Sequence, residues 1–314
     1  MRKSVVSIIA LSYNHAPFLV EALDSVLAQT YLRWELIIVD DASTDESAAV
    51  VGRWVAAHPG RAAHVLLLPH RHGACAAFNR GLALATGEFV LDLATDDVLL
   101  PTRLEEQVAA FARLDESYGV VYSDVELMDE GGTVLRRHYR RDAANRPHPA
   151  APSGAVFAHV LGHFFISAPS MLIRRATFDD LGGYDATLAY EDFDFWVRSS
   201  RRWRYHFLDQ VLTRKRLHPR SHSRRQYQPG DPQLASTIRV CEKARTLCRT
   251  PAEWAGLHRR VAFELREAVR HRCWPEAAAL ARLLAGLPWQ QWLRPVASRW
   301  LAVLAQPWRS RLAP

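Results

Sequence analysis

Apolar runs alternate with amphipathic segments along the first 95 residues of the chain. Two segments carry apolar side chains at helical spacing: residues 18–27, which follow Pro17, and residues 74–86, which end at Gly87. Four other segments are apolar on both faces, as in buried parallel strands: residues 5–12, 36–39, 64–68 and 88–93. Strands that alternate with helices over short links predict an α/β fold with parallel crossovers.

The pattern is weaker in the rest of the chain. Ser43 and Glu46 have the spacing of a capping box, which predicts the start of a helix after the second strand. Beyond residue 130 we predict a flexible loop, a strand, a helix, one or two strands, a mobile loop and a helical remainder. These segments are residues 140–153, 170–174, 189–200, 204–218, 219–233 and 234–314.

Composition and charge point to two regions. With 314 residues, 49% of them hydrophobic, the chain is long enough for one large domain with an appendage, or for two domains. Residues 1–200 hold 17 basic and 26 acidic residues, a net charge of −9, whereas residues 201–314 hold 23 and 7, a net charge of +16. An acidic body with a basic tail predicts an anionic partner for the tail. We expect no nucleic acid, because the tail contains no nucleic-acid-binding module.

The N-terminus has the charge pattern of a signal peptide but not its length. The apolar run of residues 5–11 is short and leads into Tyr13-Asn14-His15 without a small-residue cleavage site, so we predict a buried first strand. No segment reaches the roughly 18 apolar residues of a membrane-spanning helix. The four cysteines have neither metal-ligand nor disulfide-framework spacing. A cytoplasmic protein is expected, peripheral on the inner face of the membrane if the tail binds lipid.

Polar residues directly follow three of the predicted strands, at the edge where open α/β sheets bind ligands. They are Ser12-Tyr13-Asn14, Asp40-Asp41 and Asp96-Asp97. The last pair suits either a solvated turn or a site for Mg²⁺ or Mn²⁺, with a diphosphate supplying further ligands. Asp40-Asp41 suits either a cap near Ser43 or a hydrogen bond to a pyrimidine N3–H, with Tyr13 stacked on the base.

Two later segments carry further candidate chemistry. Glu191, Asp192 and Asp194 crowd the start of the predicted helix in the stretch GGYDATLAYEDFDFWVR, where they either complement the helix dipole or supply a general base. The basic stretch RLHPRSHSRR, residues 216–225, is either a solvated loop or a lid over a phosphate leaving group. His218, within it, is a candidate metal or phosphate ligand.

Four stretches in order resemble the family 2 glycosyltransferases of the GT-A fold. Together they span about residues 4–222, and they are VSIIALSYNHAPFLVEALDSVLAQTY, ELIIVDDASTDES, GACAAFNRGLALATGEFVLDLATDDVLLP and APSMLIRRATFDDLGGYDATLAYEDFDFWVR. The resemblance implies a Rossmann-like, mostly parallel sheet flanked by helices. It also implies inverting transfer of a sugar from a nucleotide diphosphate, here with uracil or thymine, to a glycan or lipid-linked acceptor in cell-surface polysaccharide synthesis.

The resemblance also assigns roles to residues of this sequence. It implies Asp192 as catalytic base and a divalent cation, Mg²⁺ or Mn²⁺, on Asp97 with Asp96, which His218 would join. Donor binding would involve Ser12, Tyr13, Asn14, Asp41, Asn79 and Asp96. Leaving-group or acceptor contacts would come from Glu191, Trp196, Arg216 and Arg220.

Two positions depart from the family pattern. Ala94 occupies the first position of the metal-binding DXD motif, so the cation would rest mainly on Asp97. Phe78 stands where many relatives have arginine before Asn79, which removes a base or phosphate contact from this helix.

We predict a catalytic domain over residues 1–233, with a nucleotide-binding half (1–130) and an acceptor half (131–233), and a helical region over residues 234–314. The helical region is basic and rich in tryptophan, with six of the ten tryptophans: Trp254, Trp274, Trp289, Trp292, Trp300 and Trp308. These features suit docking on an anionic membrane surface. The leucines of residues 280–287 suit instead ordinary packing against the catalytic domain or a second subunit.

Three other function classes were weighed. A dinucleotide oxidoreductase needs a G-x-G-x-x-G motif after the first strand, where Tyr13-Asn14-His15 stands instead. A hydrolase also uses paired carboxylates, with water as acceptor. A non-catalytic sugar-nucleotide-binding or scaffold protein is the remaining alternative, although Asp97 and Asp192 together favour an enzyme.

Overall fold

The computed structural model describes residues 4–219, 227–230 and 232–288, and within these residues a mixed sheet forms the centre of the fold. The strands are β1 (Val6–Ser12), β2 (Trp34–Asp40), β3 (His64–Leu67), β4 (Phe89–Ala94), β5 (Val98–Leu99), β6 (Tyr118–Met128), β7 (Val134–Arg137), β8 (Arg140–Arg141), β9 (Pro147–His148), β10 (Leu172–Arg174) and β11 (Arg204–Arg216). The helices are α1 (Leu19–Leu27), α2 (Ser47–Ala57), α3 (Ala74–Leu82), α4 (Arg103–Phe111), α5 (Phe157–Gly162), α6 (Arg175–Leu181), α7 (Asp192–Ser199), α8 (Pro232–Leu247), α9 (Pro251–Arg270) and α10 (Trp274–Ala285).

The central sheet has the strand order β3-β2-β1-β4-β10-β6-β11-β5, and β7 pairs with β6. Strands β3, β2, β1 and β4 are parallel, as the sequence predicted. The short strand β10 runs antiparallel to both β4 and β6, and β11 is parallel to β6. The first four strands therefore end at one common edge of the sheet.

The core explains why the apolar runs form strands. Ile8, Ile38 and Leu91 lie side by side in β1, β2 and β4, fully buried, and helices α1 and α4 contribute Leu23 and Leu104 to the same core. Because both faces of these strands are covered, their central residues are apolar on both faces and do not alternate with polar residues.

The predicted capping box of α2 was wrong. Ser43 accepts a hydrogen bond from the main-chain N–H of Asn14 and donates its own hydroxyl to Asp40 Oδ2 at 2.6 Å. The N-cap of α2 is Glu46, which makes no side-chain capping bond. A capping box does form at α9, between Thr250 and Glu253.

The predicted flexible loop of residues 140–153 was also wrong in part, because this segment contains the paired strands β8 and β9. Arg141 anchors it: its guanidinium donates to Asp124 at 2.6 Å and to Asp209 at 2.5 Å. Asp124 is fully buried in β6, so the hairpin supplies the cation that this carboxylate requires. In the predicted segment 204–218, a single strand forms, β11 (Arg204–Arg216), and it is interrupted by register shifts.

The described residues separate into two compact units. One holds residues up to 156 together with 165–226, and the other holds residues 157–164 with those from 227 onward. The helical unit thus includes α5, which precedes it by some 70 residues in the chain. The domain boundary at residue 233 stays a prediction. Leu280, Leu283 and Leu287 are buried within the helical unit. None of the helices described combines the length and apolar character needed to cross a bilayer.

Candidate active site

The parallel strands bring the predicted polar residues to one sheet edge. Ser12 of β1 is in register with Asp40 of β2, and Leu11 is in register with Ala94 of β4. The residues that follow these strands, Asn14 and Asp96 among them, therefore emerge next to one another.

A group of three possible metal ligands lies at this edge. His218 Nε2 is 3.1 Å from Asp96 Oδ2, and His15 Nδ1 is 3.9 Å from Asp96 Oδ1. One ligand atom from each of the three residues lies within 4.8 Å of the other two. One carboxylate with two imidazoles is a donor set that suits a first-row transition-metal ion such as Mn²⁺ better than Mg²⁺.

The ionisation of this group also suits a cation. Burial lowers the pKa of His15 against the opposing effect of Asp96, so its ring is neutral at neutral pH and one of its nitrogens carries no proton. Its Nδ1 also lies 3.0 Å from Thr95 Oγ1. Burial by itself would raise the pKa of Asp96, but the hydrogen bond from His218 and the nearby imidazoles outweigh it and lower that pKa. Asp96 is therefore an ionised ligand.

Asp97 has a different environment from its neighbour. Its Oδ1 accepts the main-chain N–H of Arg216 at 2.9 Å, and the side chain is 3% exposed. Burial, followed by repulsion from Asp96, raises the pKa of Asp97 well above its usual range. The structure thus groups Asp96, and not Asp97, with the histidines. The assignment of the cation mainly to Asp97 stays a prediction.

Arg216 is engaged by the protein on all sides of its guanidinium. It donates to the main-chain oxygen atoms of Asp96 and Glu130 at 3.0 and 2.8 Å, and pairs with Glu21 at 2.5 Å. Only 2% of the residue is exposed, and the guanidinium lies 4.8 Å from the ring centroid of Phe18. These contacts hold the Asp96-Asp97 turn to the end of β11. Arg220, the other predicted leaving-group contact on this stretch, lies outside the described residues.

The loops at this edge of the sheet are held together by hydrogen bonds. Asp41 Oδ1 and Oδ2 accept the main-chain N–H groups of His72 and Gly73 at 2.7 and 2.8 Å, which fixes the turn before α3. Asn14, in the left-handed region at φ 58°, accepts the N–H of Thr44 at 2.7 Å. Both predicted donor-binding residues thus also shape the loops around the pocket.

Tyr13 is covered by a guanidinium. The Arg71 side chain lies 4.0 Å from the centroid of the Tyr13 ring. Ser12 Oγ is buried without a hydrogen-bond partner among the described residues, so it remains available to a ligand. The aromatic platform that stacking on a base requires is present at the edge of the sheet.

Several carboxylates surround the start of α7. Burial, followed by repulsion from Asp92 and Asp192, raises the pKa of Glu191 to about 8. Burial also raises the pKa of Asp92 to about 7, to which repulsion from Asp192 contributes, while the hydrogen bond from the Tyr184 hydroxyl at 3.2 Å opposes it. At neutral pH Glu191 is therefore mostly protonated.

The segment before α7 is held by one side chain of α3 and one of α7 itself. Both amide atoms of Asn79 bond to the main chain of Tyr184, at 2.8 and 2.9 Å. Within α7, Arg198 pairs with Asp194 at 2.6 Å and donates to the Gly183 oxygen. The Asp192 carboxylate accepts the N–H of Phe193 at 2.6 Å.

Two residues that were predicted to contact donor or acceptor, Asn79 and Trp196, form hydrogen bonds within the protein. Asn79 holds the Tyr184 segment, as above, and the buried Trp196 indole donates to Met171 Sδ at 3.2 Å. Their donor and acceptor roles stay predictions. Phe78, at the family's arginine position, is buried against Phe178 and Tyr184.

Sequence reasoning missed His15, Arg71 and Asp92. His15 directly follows Tyr13-Asn14 at the end of β1, which was a usable signal. Asp92 is a lone carboxylate within an apolar strand, and such a residue needs a partner or a proton. No local pattern indicates that Arg71 lies over Tyr13, since the contact depends on the turn that Asp41 fixes.

Residues 7–182 match the model of the family described as glycosyl transferase family 2. The chain belongs to this family. An uncharacterized glycosyltransferase of Rickettsia prowazekii is 31% identical over 68% of this chain and 64% of its own length. The putative glycosyltransferase EpsE of Bacillus subtilis is 32% identical over 62% of this chain and 66% of its own. The chain thus matches at most about two thirds of the length of these relatives.

Solved structures show the fold. TarS residues 1–349 from S. aureus, in complex with UDP-GlcNAc, superposes with a TM-score of 0.68 at 18% identity, over 95% of this chain and 87% of that one. The mannosyltransferase PcManGT from Pyrobaculum calidifontis, in complex with GDP-Man and Mn²⁺, gives 0.61 at 21% identity, over 98% and 83%. The predicted GT-A fold is confirmed.

Proposed function

We propose that this protein transfers a sugar, with inversion, from a nucleotide diphosphate to a hydroxyl of a glycan or lipid-linked acceptor. The observation that supports this proposal most is that β4 and the turn after it place Asp92 and Asp96 close together. Asp92, which neighbours Asp192 electrostatically, and Asp96, which faces the two histidines, are four residues apart, so their Cα atoms are at most about 14 Å apart. A donor diphosphate at Asp96 would leave its sugar near the carboxylates.

Asp96, His15 and His218 would hold a divalent cation, for which their donor set is suited, with Asp97 supporting the turn through Arg216. Such an ion, when bound, neutralises the charge that develops on a diphosphate leaving group. PcManGT, a member of the same fold, was solved with Mn²⁺, which supports the choice of metal.

Asp192 acts as the general base in this proposal. The acceptor oxygen forms a bond to the anomeric carbon from the face opposite the nucleotide, and its proton passes to the Asp192 carboxylate. The bond from the anomeric carbon to the diphosphate oxygen breaks, and the electron pair leaves with the nucleotide. Glu191 is less suited to this role, because a group with a pKa of about 8 already carries a proton at neutral pH.

The donor in this proposal carries uracil or thymine. Tyr13 offers a face for stacking, and Asp41 has carboxylate oxygens that can accept the N3–H of either base. TarS was solved with UDP and with UDP-GlcNAc, whereas PcManGT was solved with GDP-Man, so the fold accommodates both kinds of base.

The acceptor belongs to cell-surface polysaccharide synthesis in this proposal. It is supported by a relative of Bacillus subtilis, TuaG, named as a putative teichuronic acid biosynthesis glycosyltransferase and 33% identical over 55% of this chain. A lipid-linked acceptor would be reached from the membrane surface, to which the basic C-terminal region would attach the enzyme. Of the tryptophans proposed to assist, Trp254 and Trp274 are described and Trp274 is 60% exposed, whereas the other four lie outside the described residues.

A donor screen read by mass spectrometry tests the reaction. The enzyme is incubated with UDP-, dTDP- and GDP-sugars, with and without soluble or lipid-linked glycan acceptors. We expect a glycosylated product that requires the acceptor. Free sugar formed at the same rate without acceptor would instead indicate a hydrolase, and nucleotide binding without turnover would indicate a non-catalytic binding protein.

A further inference from the structure

A cavity lies within the helical unit, where α5 and the segment after it meet α9. Its volume is about 470 Å³, which is in the range of small-molecule sites. None of its lining residues belongs to the candidate active site. The side chains that matter here are His163, Phe164, Arg259, Arg260, Phe263 and Arg266.

Two glycines allow the helices to approach closely at this cavity. A Cβ on Gly256 of α9 would lie 2.7 Å from the main-chain oxygen of Ala158 in α5. A Cβ on Gly162 would lie 2.9 Å from Arg259 Nη2, so the guanidinium of Arg259 rests directly on the α5 backbone. Arg259 is an exposed residue whose guanidinium lies against the α5 backbone at the edge of the cavity.

The cavity is cationic. Burial lowers the pKa of His163, and the charges of Arg259, His159 and Arg260 lower it further. Arg260 and Arg266 are each within 3.4 Å of a carboxylate, Glu264 and Glu267, but among the described residues no carboxylate lines the cavity itself. Arg260 is buried and paired, so the exposed forks at this cavity are those of Arg259 and Arg266. Such forks favour a phosphate, which accepts two hydrogen bonds from each.

Aromatic rings stand beside these cations. The Arg260 guanidinium lies 3.5 Å from the centroid of Phe164, and that of Arg266 lies 5.2 Å from the centroid of Phe263. The rings remain 47% and 37% exposed. A ligand that fits both features has a phosphate joined to apolar chains.

We infer that this cavity binds the phosphate head group of an anionic phospholipid, with Phe164 and Phe263 in contact with the first methylenes of its acyl chains. The inference deepens the membrane attachment within the proposed function and is independent of the transfer reaction. Arg259 is the residue on which it depends most, since its exposed guanidinium lies against α5 in the lining of the cavity.

Co-sedimentation of the full-length protein with vesicles tests the inference. The vesicles contain either phosphatidylcholine alone or phosphatidylcholine with one quarter phosphatidylglycerol. The variants are Arg259→Gln, Arg259→Lys and Phe263→Ser, and the control is Arg282→Gln, which removes an exposed charge from α10 outside the cavity. Circular dichroism and thermal unfolding establish that each variant is folded.

We expect binding to the vesicles with phosphatidylglycerol only. Arg259→Gln and Phe263→Ser should weaken it at least tenfold and Arg282→Gln less than threefold, and Arg259→Lys should restore only part of the loss, because lysine keeps the charge but not the fork. Equal losses of vesicle binding in Arg259→Gln and Arg282→Gln, or full binding in Arg259→Lys, would mean that only the overall positive charge of the protein attracts the vesicles. Either result would overturn the inference. Competition by inorganic phosphate at low concentration would overturn it in favour of a soluble phosphate ligand. Transfer activity, measured separately on a soluble acceptor, tests the proposed reaction whatever the vesicles show.

Discussion

The main-chain N–H of Arg216 donates to the Asp97 carboxylate at 2.9 Å, which joins the turn after β4 to the end of β11. The same turn directs Asp96 toward His15 and His218. The two adjacent carboxylates therefore have separate surroundings: Asp97 is enclosed and bonded to the backbone, whereas Asp96 faces the imidazoles. This division leads to the first prediction.

Asp96→Asn should weaken Mn²⁺ binding at least tenfold, because it removes the anionic ligand of the three-residue group. Asp97→Asn should weaken it less, since the amide oxygen can still accept the Arg216 N–H. Calorimetric titration of Mn²⁺ in the presence of UDP measures both, with His218→Ala as a further ligand variant and Asp179→Asn, an exposed carboxylate, as control. An equal or larger loss in Asp97→Asn would make Asp97 the principal ligand, as the DXD resemblance implies.

The strands that the sequence predicted in the first 95 residues are those with a continuous apolar run at their centre, including the largely exposed β3. Strands β1, β2 and β4 are mostly apolar, and their predicted ranges were correct within two residues. Strand β6 was missed because it contains Ser123 and Asp124, both fully buried. Asp124 is satisfied by Arg141 from a distant hairpin, and a partner of that kind has no local signature.

In the candidate site, too, features with a local sequence signature were predictable, whereas contacts between distant residues were not. Residues directly after a strand, such as Asp96, were predictable because parallel strands end at a common edge. The partnership of Asp96 with His15 and His218 joins residues from the ends of β1, β4 and β11, and only the completed sheet establishes it. Ser43 failed as a cap for the same reason, since Asp40 and Asn14 use its hydroxyl.

The second prediction concerns the base. Asp192→Asn keeps the size of the side chain but removes its ability to accept a proton, so turnover should fall by about 10²–10⁴-fold. Donor affinity, measured by calorimetry, should stay near that of the unmodified protein. Glu191→Gln should retain much of the activity, because Glu191 is already mostly protonated at neutral pH. Near-normal turnover in Asp192→Asn, together with a loss of turnover in Glu191→Gln, would make Glu191 the general base instead of Asp192.

The third prediction concerns stability against pH. The folded-state pKa of Asp92 is about 7 and that of Glu191 about 8, both above their ordinary values of 3.8 and 4.5. The folded protein therefore holds protons that the unfolded chain releases, and stability falls as the pH rises from about 4 to about 8. Each pKa unit is worth about 1.4 kcal/mol.

Thermal unfolding at intervals between pH 5 and pH 8 measures this effect. We expect the Tm to fall by several degrees across the range, at about 2–4 °C per kcal/mol for a chain of this size. Asp92→Asn should reduce the dependence, because the amide fills the same space, can still accept the Tyr184 hydroxyl and does not titrate. The remainder comes from Glu191 and Asp97, whose pKa values are also raised. Asp179→Asn serves as an exposed control and should leave the slope unchanged. A Tm that is flat, or that rises over this range, in the unmodified protein would contradict the assignment.

The fourth prediction concerns the nucleotide. If Tyr13 stacks on the base and Asp41 accepts its N3–H, UDP and dTDP should bind more tightly than GDP or ADP. Stacking of a base on an aromatic ring is worth about 1–3 kcal/mol, so Tyr13→Ala should weaken UDP binding by roughly 5- to 150-fold. Tyr13→Phe should change little, since the ring is retained.

A variant of Arg71 distinguishes between two ways in which a base could stack on Tyr13. Its guanidinium lies 4.0 Å from the Tyr13 ring centroid, and it either shares the ring with the base or must leave it when the base arrives. Arg71→Gln should weaken UDP binding if base and guanidinium hold opposite faces of the ring, and should strengthen it if the guanidinium occupies the face that the base needs. Asp41 is unsuitable for the same test, because its carboxylate also fixes the His72 and Gly73 turn. Tighter binding of a purine diphosphate by the unmodified protein, with no effect of Tyr13→Ala, would remove both residues from the donor pocket.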